Sequence, residues 1–226
     1  MELQYRHEWK HEISRADLIA IRQRLRAICE TDPHAVDGKY YIRSLYFDNL
    51  YDKALREKID GVNMREKFRI RYYNGDTSFL MLEKKSKVNG LGTKAGARLT
   101  AEEAQRILEG DIDWMAEADD RPAVQELYCK MRAQGLAPKT IVDYTREPYI
   151  YRPGNVRVTF DYDLRTALRR TDFLNPDCPT IPAGSAPILL EVKWDNFLPS
   201  IIRDAVQTPG RRVTAFSKYA QSRIYG

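Results

Sequence analysis

Between Arg65 and Arg71 the sequence alternates bases with apolar residues. Arg65, Lys67, Arg69 and Arg71 share one parity; Met64, Phe68, Ile70 and Tyr72 share the other, broken by Glu66. Side chains in a strand point alternately to opposite faces, so four cations would stand in file roughly 6.5–7 Å apart. That is close to the spacing of successive phosphates along an extended chain. The pattern recurs. Arg6, Glu8, Lys10 and Glu12 oppose Tyr5, Trp9 and Ile13; Arg157, Thr159, Asp161 and Asp163 oppose Val156, Val158, Phe160 and Tyr162. Leu189, Glu191, Lys193 and Asp195 oppose Ile188, Leu190, Val192 and Trp194, and Phe79–Lys87 ends with Glu83, Lys85 and Lys87 on one parity. Single carboxylates sit two residues from a base in Glu8/Lys10, Glu83/Lys85 and Glu191/Lys193.

One such strand is ordinary, because a half-solvated antiparallel sheet places polar residues outside. Ordinary solvent faces use Thr, Ser, Gln and scattered Lys and Glu, whereas these are dense in Arg and Lys. A sheet closing into a barrel would turn the charged faces inward and leave the apolar faces for outer helices. A cation-rich bore suits a polyanion, and carboxylates among the cations suit a hard divalent metal with phosphate oxygens completing its shell. Phosphoryl transfer needs this combination of positioning and electrostatic stabilisation. The one-sided positions hold 11 bases against seven acids, nearly the whole net charge of +5.

The elements that must position these residues follow from periodicity. Strands are expected at Leu3–Ile13, Tyr40–Phe47, Met64–Tyr73, Ser78–Lys87, Thr140–Glu147, Asn155–Asp163 and Ile188–Asp195, with an eighth after Leu164. Ser14-x-x-Asp17 and Thr100-x-x-Glu103 are capping boxes opening helices; Pro122 and Pro199 open two more, and a last helix runs from about Ala215 to Ser222. Lys87–Lys94, with Gly90 and Gly92, reads as a flexible hairpin or lid, since it lacks the phosphate-loop lysine pattern. Asp172–Pro187, with four prolines, reads as a surface loop. Strands outnumber helices without alternating with them, which argues for an α+β fold with a largely antiparallel sheet.

The 226 residues form one expected domain, 1–226, with no linker or repeat. No run approaches ~18 apolar residues without a charge, and 14 Tyr, 7 Phe and 3 Trp supply core material, excluding a helical membrane protein and a disordered chain. The N-terminus carries no apolar signal core, so a cytoplasmic location is expected. Cys29, Cys129 and Cys178 lack metal spacing and read as reduced thiols. His7 and His11 fall on the apolar parity of the first strand and read, with Trp9, Trp114 and Trp194, as packing residues; Arg169 and Arg170 read as rim charges.

From Arg6 to Tyr219 the chain resembles the VTC domain, the catalytic module of polyphosphate polymerases within the triphosphate tunnel metalloenzyme (CYTH-like) superfamily. The resemblance rests on an ordered series: Arg6-x-Glu8-x-Lys10, Ser44-Leu-Tyr-Phe-Asp48-Asn, Lys67-x-Arg69-x-Arg71-Tyr, Leu82-Glu83-Lys84-Lys85-x-Lys87, Tyr144-x-Arg146, Arg157-x-Thr159-x-Asp161, Leu190-Glu191-x-Lys193 and Phe216-Ser217-Lys218-Tyr219. It implies an eight-stranded antiparallel β-barrel, a tunnel with a charged interior and helices packed outside. It implies transfer of the ATP γ-phosphate onto a growing polyphosphate chain, aided by Mn²⁺ or Mg²⁺. Lys10, Arg69, Arg71, Lys85, Arg146 and Arg157 are then the catalytic phosphate-binding cations. Arg6, Lys67, Lys87, Lys94, Tyr144, Lys193, Ser217 and Lys218 would bind substrate. Glu191 would be the main metal ligand, with Glu8 and Glu83 in support. Asp161 is expected to orient Arg157 or Arg146, and Lys193 to pair with Glu191 or Asp195 or to touch phosphate.

The eukaryotic relatives carry further sensing and membrane segments, so this chain is expected to work alone or with a separate membrane protein. ATP and inorganic polyphosphate are the expected partners. Nucleic acid is not, because that would call for outward bases with exposed aromatics. Two other activities fit the same residues: a triphosphate or polyphosphate hydrolase, and a non-catalytic module binding polyphosphate or inositol phosphates.

Overall fold

A computed structural model describes residues 7–89, 91–167 and 172–224. Arg6, the expected strand start at Leu3, Gly90, Arg169 and Arg170 lie outside the described residues. The protein is an α+β chain built on a large antiparallel sheet. Its strands are β1 (His7–Ile13), β2 (Glu30–Thr31), β3 (Tyr40–Asp48), β4 (Arg65–Tyr73), β5 (Asp76–Val88), β6 (Leu91–Leu99), β7 (Ala137–Tyr151), β8 (Val156–Ala167), β9 (Ile181–Pro182), β10 (Ile188–Trp194) and β11 (Arg212–Val213). The helices are α1 (Arg15–Ile28), α2 (Lys53–Ile59), α3 (Ala101–Glu109), α4 (Pro122–Gln134), α5 (Ser200–Ala205) and α6 (Lys218–Ser222).

The sheet corrects the expected barrel. Among the described residues its eleven strands form an open path of nine, β11-β1-β10-β8-β7-β3-β4-β5-β6, with β2 added on β7 and β9 on β8, and not a closed ring of eight. Directly after Leu164, where an eighth strand is expected from the sequence, the chain continues β8 to Ala167. Of the two readings of Lys87–Lys94, hairpin or lid, the hairpin holds: the chain folds back as β6, antiparallel to β5 from Val88↔Leu91 to Leu80↔Leu99. Glycine permits this: a Cβ on Gly96 would lie 2.9 Å from the Leu82 carbonyl oxygen, so only a bare backbone approaches β5 so closely. Three two-residue strands, β2, β9 and β11, supply the remaining excess, too short to leave a periodic signal.

The chain divides into two compact units, each with its own core. Unit one comprises residues 1–41, 144–164 and 184–216. Its core joins Val158 and Phe160 of β8 and Leu190 and Val192 of β10 to Leu18, Ile21 and Leu25 of α1. Burying each such side chain contributes roughly 1.5–3 kcal/mol. The α1 start is fixed by the expected capping box: Ser14 Oγ accepts from Asp17 N at 3.1 Å and Asp17 Oδ2 accepts from Ser14 N at 3.1 Å. Arg22 of α1 forks onto buried Glu147 with two 2.8 Å hydrogen bonds, and the Tyr162 hydroxyl donates to the same carboxylate at 2.5 Å.

Unit two comprises residues 42–143, 165–183 and 217–226. Phe68, Ile70 and Tyr72 of β4 and Leu80 and Leu82 of β5 pack with Ile107 of α3 and Val124 and Leu127 of α4. Thr100 caps α3, and Gly110 ends it at φ 84°, a left-handed conformation that favours glycine. Glu66, the charge that interrupts the apolar parity of β4, meets Lys84 at 3.0 Å and Lys130 of α4, while Lys84 also contacts Glu126 of α4. An ion-pair network therefore docks α4 where the apolar stripe ends. The proline-rich stretch is anchored within this unit, with Phe173, Cys178 and Ala183 buried and the Tyr72 hydroxyl donating to the Phe173 carbonyl at 2.9 Å.

Candidate functional site

In unit two the antiparallel registers set the charged residues of β4, β5 and β6 in rows. One row runs Tyr46, Arg69, Glu83, Gly96; the next runs Lys67, Lys85, Lys94; a third pairs Arg65 with Lys87. Cations directly opposite each other on neighbouring strands repel, and the Lys94 end of this row is offset by Glu83, whose Oε1 lies 2.6 Å from Lys94 Nζ. Glu83 is only 4% exposed and gathers its neighbours. Its oxygens lie 2.7 Å from Arg69 Nη2, 2.6 Å from Lys94 Nζ and 3.4 Å from Arg71 Nε. Burial alone would raise the Glu83 pKa; the Arg69 and Lys94 charges overcome it and hold the carboxyl below its ordinary range. Arg71 is 5% exposed, its Nε meeting Glu83 at ion-pair but not hydrogen-bond geometry, and the Oγ of Ser44, its partner across β3–β4, has no hydrogen-bond partner.

The other side of Arg69 is held by Tyr46, whose hydroxyl accepts from Arg69 Nη1 at 2.9 Å and whose ring lies beneath Lys67 and Arg69. Tyr219 of α6 stacks on Tyr46 at 5.1 Å and donates its hydroxyl to buried Asp48 at 2.6 Å. Burial, then the Asp48 carboxylate, pushes the Tyr219 pKa far up, so it stays a donor. Asp48 also accepts from the backbone N–H groups of Ala54 and Leu55 at the start of α2. These contacts fix α6, which begins at Lys218. The Ser217 Oγ caps that helix, accepting from Ala220 N at 3.3 Å.

In unit one β1, β10 and β8 lie side by side, with Lys10↔Glu191↔Thr159 in one row and Glu8↔Lys193↔Arg157 in the next. Glu191 is 5% exposed. Its Oε1 lies 2.9 Å from Lys10 Nζ, and its Oε2 lies 3.0 Å from Lys193 Nζ and 3.8 Å from Arg146 Nη2. Lys193 Nζ also lies 3.2 Å from Glu8 Oε1. Arg146 forks onto Asp161 with two 2.6 Å hydrogen bonds and lies over the Tyr144 ring at 5.6 Å. Burial works against the Arg146 charge, and Asp161 more than offsets it, so its pKa lies well above the ordinary arginine value. Arg157 Nη2 reaches Asp32 at 3.1 Å, while the buried Arg157 Nε and Thr159 Oγ1 have no hydrogen-bond partner.

A family model for the VTC domain matches residues 5–225. The chain belongs to the VTC domain family. A search of curated proteins finds no match. Among solved structures, the PH1819 protein from Pyrococcus horikoshii OT3 is similar at 14% identity and a TM-score of 0.45, covering 89% of this chain and 84% of that one. A Bacillus halodurans protein described as an adenylate cyclase candidate is similar at 13% identity and a TM-score of 0.46, covering 85% and 80%. Identities of this size carry nothing about reaction or substrate.

The described residues of this VTC domain hold no cluster of three or more His, Cys, Asp and Glu side chains able to enclose a metal. Glu8 and Glu191 nevertheless converge on one ammonium, Lys193 Nζ. Two hard carboxylates that already share a cation fit a Mg²⁺-type ion, which commonly takes one or two carboxylates and completes its shell with phosphate oxygens. Glu83, in unit two, is surrounded instead by Arg69, Arg71 and Lys94. Lys85 and Lys87 are exposed. His7 stacks on Trp194 at 5.4 Å and His11 is buried edge-on to Trp9, so both pack. Ser44, Tyr46 and Asp32 escaped the sequence reading. Ser44, Tyr46 and Asp48 share one parity of the Ser44–Asn49 motif, opposite Leu45 and Phe47, a signal that was available; Asp32 lies in a loop and left none. Among the described residues no helix is long and apolar enough to cross a membrane.

Proposed function

We propose that this VTC domain is a metal-dependent polyphosphate polymerase, which moves the γ-phosphoryl group of ATP onto the terminal oxygen of an inorganic polyphosphate chain and releases ADP. The observation that carries this is the set of buried donors without a hydrogen-bond partner beside the cation clusters: Ser44 Oγ in one unit, next to Arg71 whose Nε is met only at ion-pair distance by Glu83, and Arg157 Nε and Thr159 Oγ1 in the other. Buried donors are almost always paired, and a phosphate oxygen is the acceptor that such cation-flanked donors want. A solvated structural face would not withdraw Arg71, Glu83, Asp161 and Glu191 from water.

In this reading Arg69, Arg71 and Lys85 hold phosphates in unit two, aided by Lys67, Lys87, Lys94, Ser217 and Lys218, with Glu83 fixing the two arginines. Lys10, Arg146 and Arg157 do so in unit one, aided by Tyr144 and Lys193, with Asp161 fixing Arg146. Glu8 and Glu191 would hold Mn²⁺ or Mg²⁺, which supplies charge neutralisation to the transferring phosphate. The arginines bear the charge that spreads over the phosphoryl oxygens, and their carboxylate anchors prevent them from having to reorganise as it moves. The whole chain acts as one catalytic domain, in the cytoplasm, with ATP and polyphosphate as its ligands.

The test is product analysis by ³¹P NMR after incubation with ATP and Mn²⁺. Polyphosphate signal with matching ADP supports the polymerase. Orthophosphate and ADP without polymer would make it a hydrolase. Salt-sensitive anion binding without turnover, unchanged in Glu191→Gln, would make it a binding module.

A further inference from the structure

Lys193 is the most unusual cation of unit one. Its ammonium lies 3.2 Å from Glu8 Oε1 and 3.0 Å from Glu191 Oε2, bridging the two carboxylates read above as the metal pair. The second oxygen of Glu191 is engaged by Lys10 at 2.9 Å. Asp161 is forked by Arg146 and Asp32 is met by Arg157. Four acids thus face four bases, and the cluster is neutral as it stands.

That neutrality bears on what can enter. A bare divalent ion reaching Glu8 and Glu191 would have to displace the Lys193 ammonium and would leave a surplus of two positive charges in a half-buried site. Such a surplus is strongly unfavourable where the dielectric is low. An ion that arrives on a triphosphate brings its own compensating charge, and its phosphate oxygens offer the displaced ammonium a new partner. Lys193 is able to move, because its side chain is 31% exposed and flexible.

We propose that Lys193 is a placeholder cation: it holds Glu8 and Glu191 in place in the free protein and yields to a divalent metal only when that metal arrives as a phosphate complex. The site then selects metal–phosphate complexes over free metal. Lys193 acts here as a positioning residue for the metal pair, and the inference rests on the reading of Glu8 and Glu191 as that pair.

The test is direct Mn²⁺ binding to the whole chain, without nucleotide, followed by loss of the free-ion EPR signal. Wild type binds weakly. Lys193→Gln removes the competing charge and tightens binding by on the order of tenfold, while Lys193→Arg, which keeps the charge, stays near wild type. Adding Glu191→Gln to Lys193→Gln abolishes the gain. The proposal is overturned if Lys193→Gln binds Mn²⁺ no more tightly than wild type, or if the gain survives loss of the Glu191 charge. Failure of the polymerase reading looks different: Mn²⁺ binding would follow this pattern while ³¹P NMR shows no polymer.

Discussion

Replacing Glu83 by Gln should weaken the fold and strengthen anion binding at once. Gln keeps the volume and one acceptor oxygen but removes the charge that Arg69, Arg71 and Lys94 share. Losing one partner of a buried ion pair costs about 3–5 kcal/mol, and a charged hydrogen bond contributes about 1.5–3 kcal/mol. The Lys94 side chain is 61% exposed, so its share is that of a surface pair, about 1 kcal/mol or less. Arg69 and Arg71 carry the rest, and the retained amide offsets part of it. A net loss of about 3 kcal/mol follows, or about 6–12 °C in Tm for a chain of this size.

The same substitution leaves three cations uncompensated, so inorganic tripolyphosphate should bind more tightly than to wild type. At about 100 times Kd the ligand returns about 2.7 kcal/mol. Thermal unfolding with and without tripolyphosphate, paired with calorimetric titration, measures both effects. A Tm within about 2 °C of wild type, or weaker tripolyphosphate binding in Glu83→Gln, would refute the assignment of Glu83 as the anchor of these cations. The pH dependence gives a second check. Because the folded pKa of Glu83 is depressed, its stabilisation is complete above the ordinary glutamate value of 4.5 and is lost as pH falls through the folded value. Glu83→Gln should therefore flatten that part of the acid limb.

Tyr219→Phe removes the 2.6 Å donor from buried Asp48 and should cost about 1–3 kcal/mol, read as a lowered Tm. Glu66→Ala leaves Lys84 and Lys130 without their shared carboxylate; about 1–3 kcal/mol of stability should go, while tripolyphosphate affinity stays unchanged, because Glu66 lies on the opposite face of β4 from Arg69. The pKa of buried His11 is pushed below its ordinary 6.5 by burial and then by Arg211. Its contribution is therefore present above pH 6.5 and lost as pH falls through the folded value, and urea midpoints should drop on acidification in wild type but less in His11→Phe.

The parity of β4 told which residues pack and which gather on the charged face, because a two-residue period is unmistakable when Arg alternates with Phe and Ile. Capping boxes at Ser14 and Thr100 placed α1 and α3 for the same reason: two side chains satisfying each other's backbone partners is a local event. What the sequence hid was non-local. The stretch after β5 left hairpin and lid both open, and the length of β6 unseen, because Gly92 and Gly96 contribute no side chain to any pattern, although that bareness is what admits the strand at Gly96. Helix α2 has seven residues, none buried, and starts after Asp52 at φ 53°, so it had neither stripe nor ordinary cap to announce it. The two cores were invisible because each is assembled from three separated segments with no linker between them. The resemblance implied a supporting metal role for Glu83; its cationic surroundings came only with the register that sets it beside Arg69 and Gly96.

The most direct measurement of the central claim is a crystal structure of the protein soaked with tungstate, located by its anomalous scattering. The account predicts oxyanions against Arg69, Arg71 and Ser44 in one unit and against Arg157 and Thr159 in the other, where the buried Ser44 Oγ, Arg157 Nε and Thr159 Oγ1 lack hydrogen-bond partners. Tungstate bound only to bases on the outer surface, with both clusters unchanged and their donors still unpaired, would contradict it.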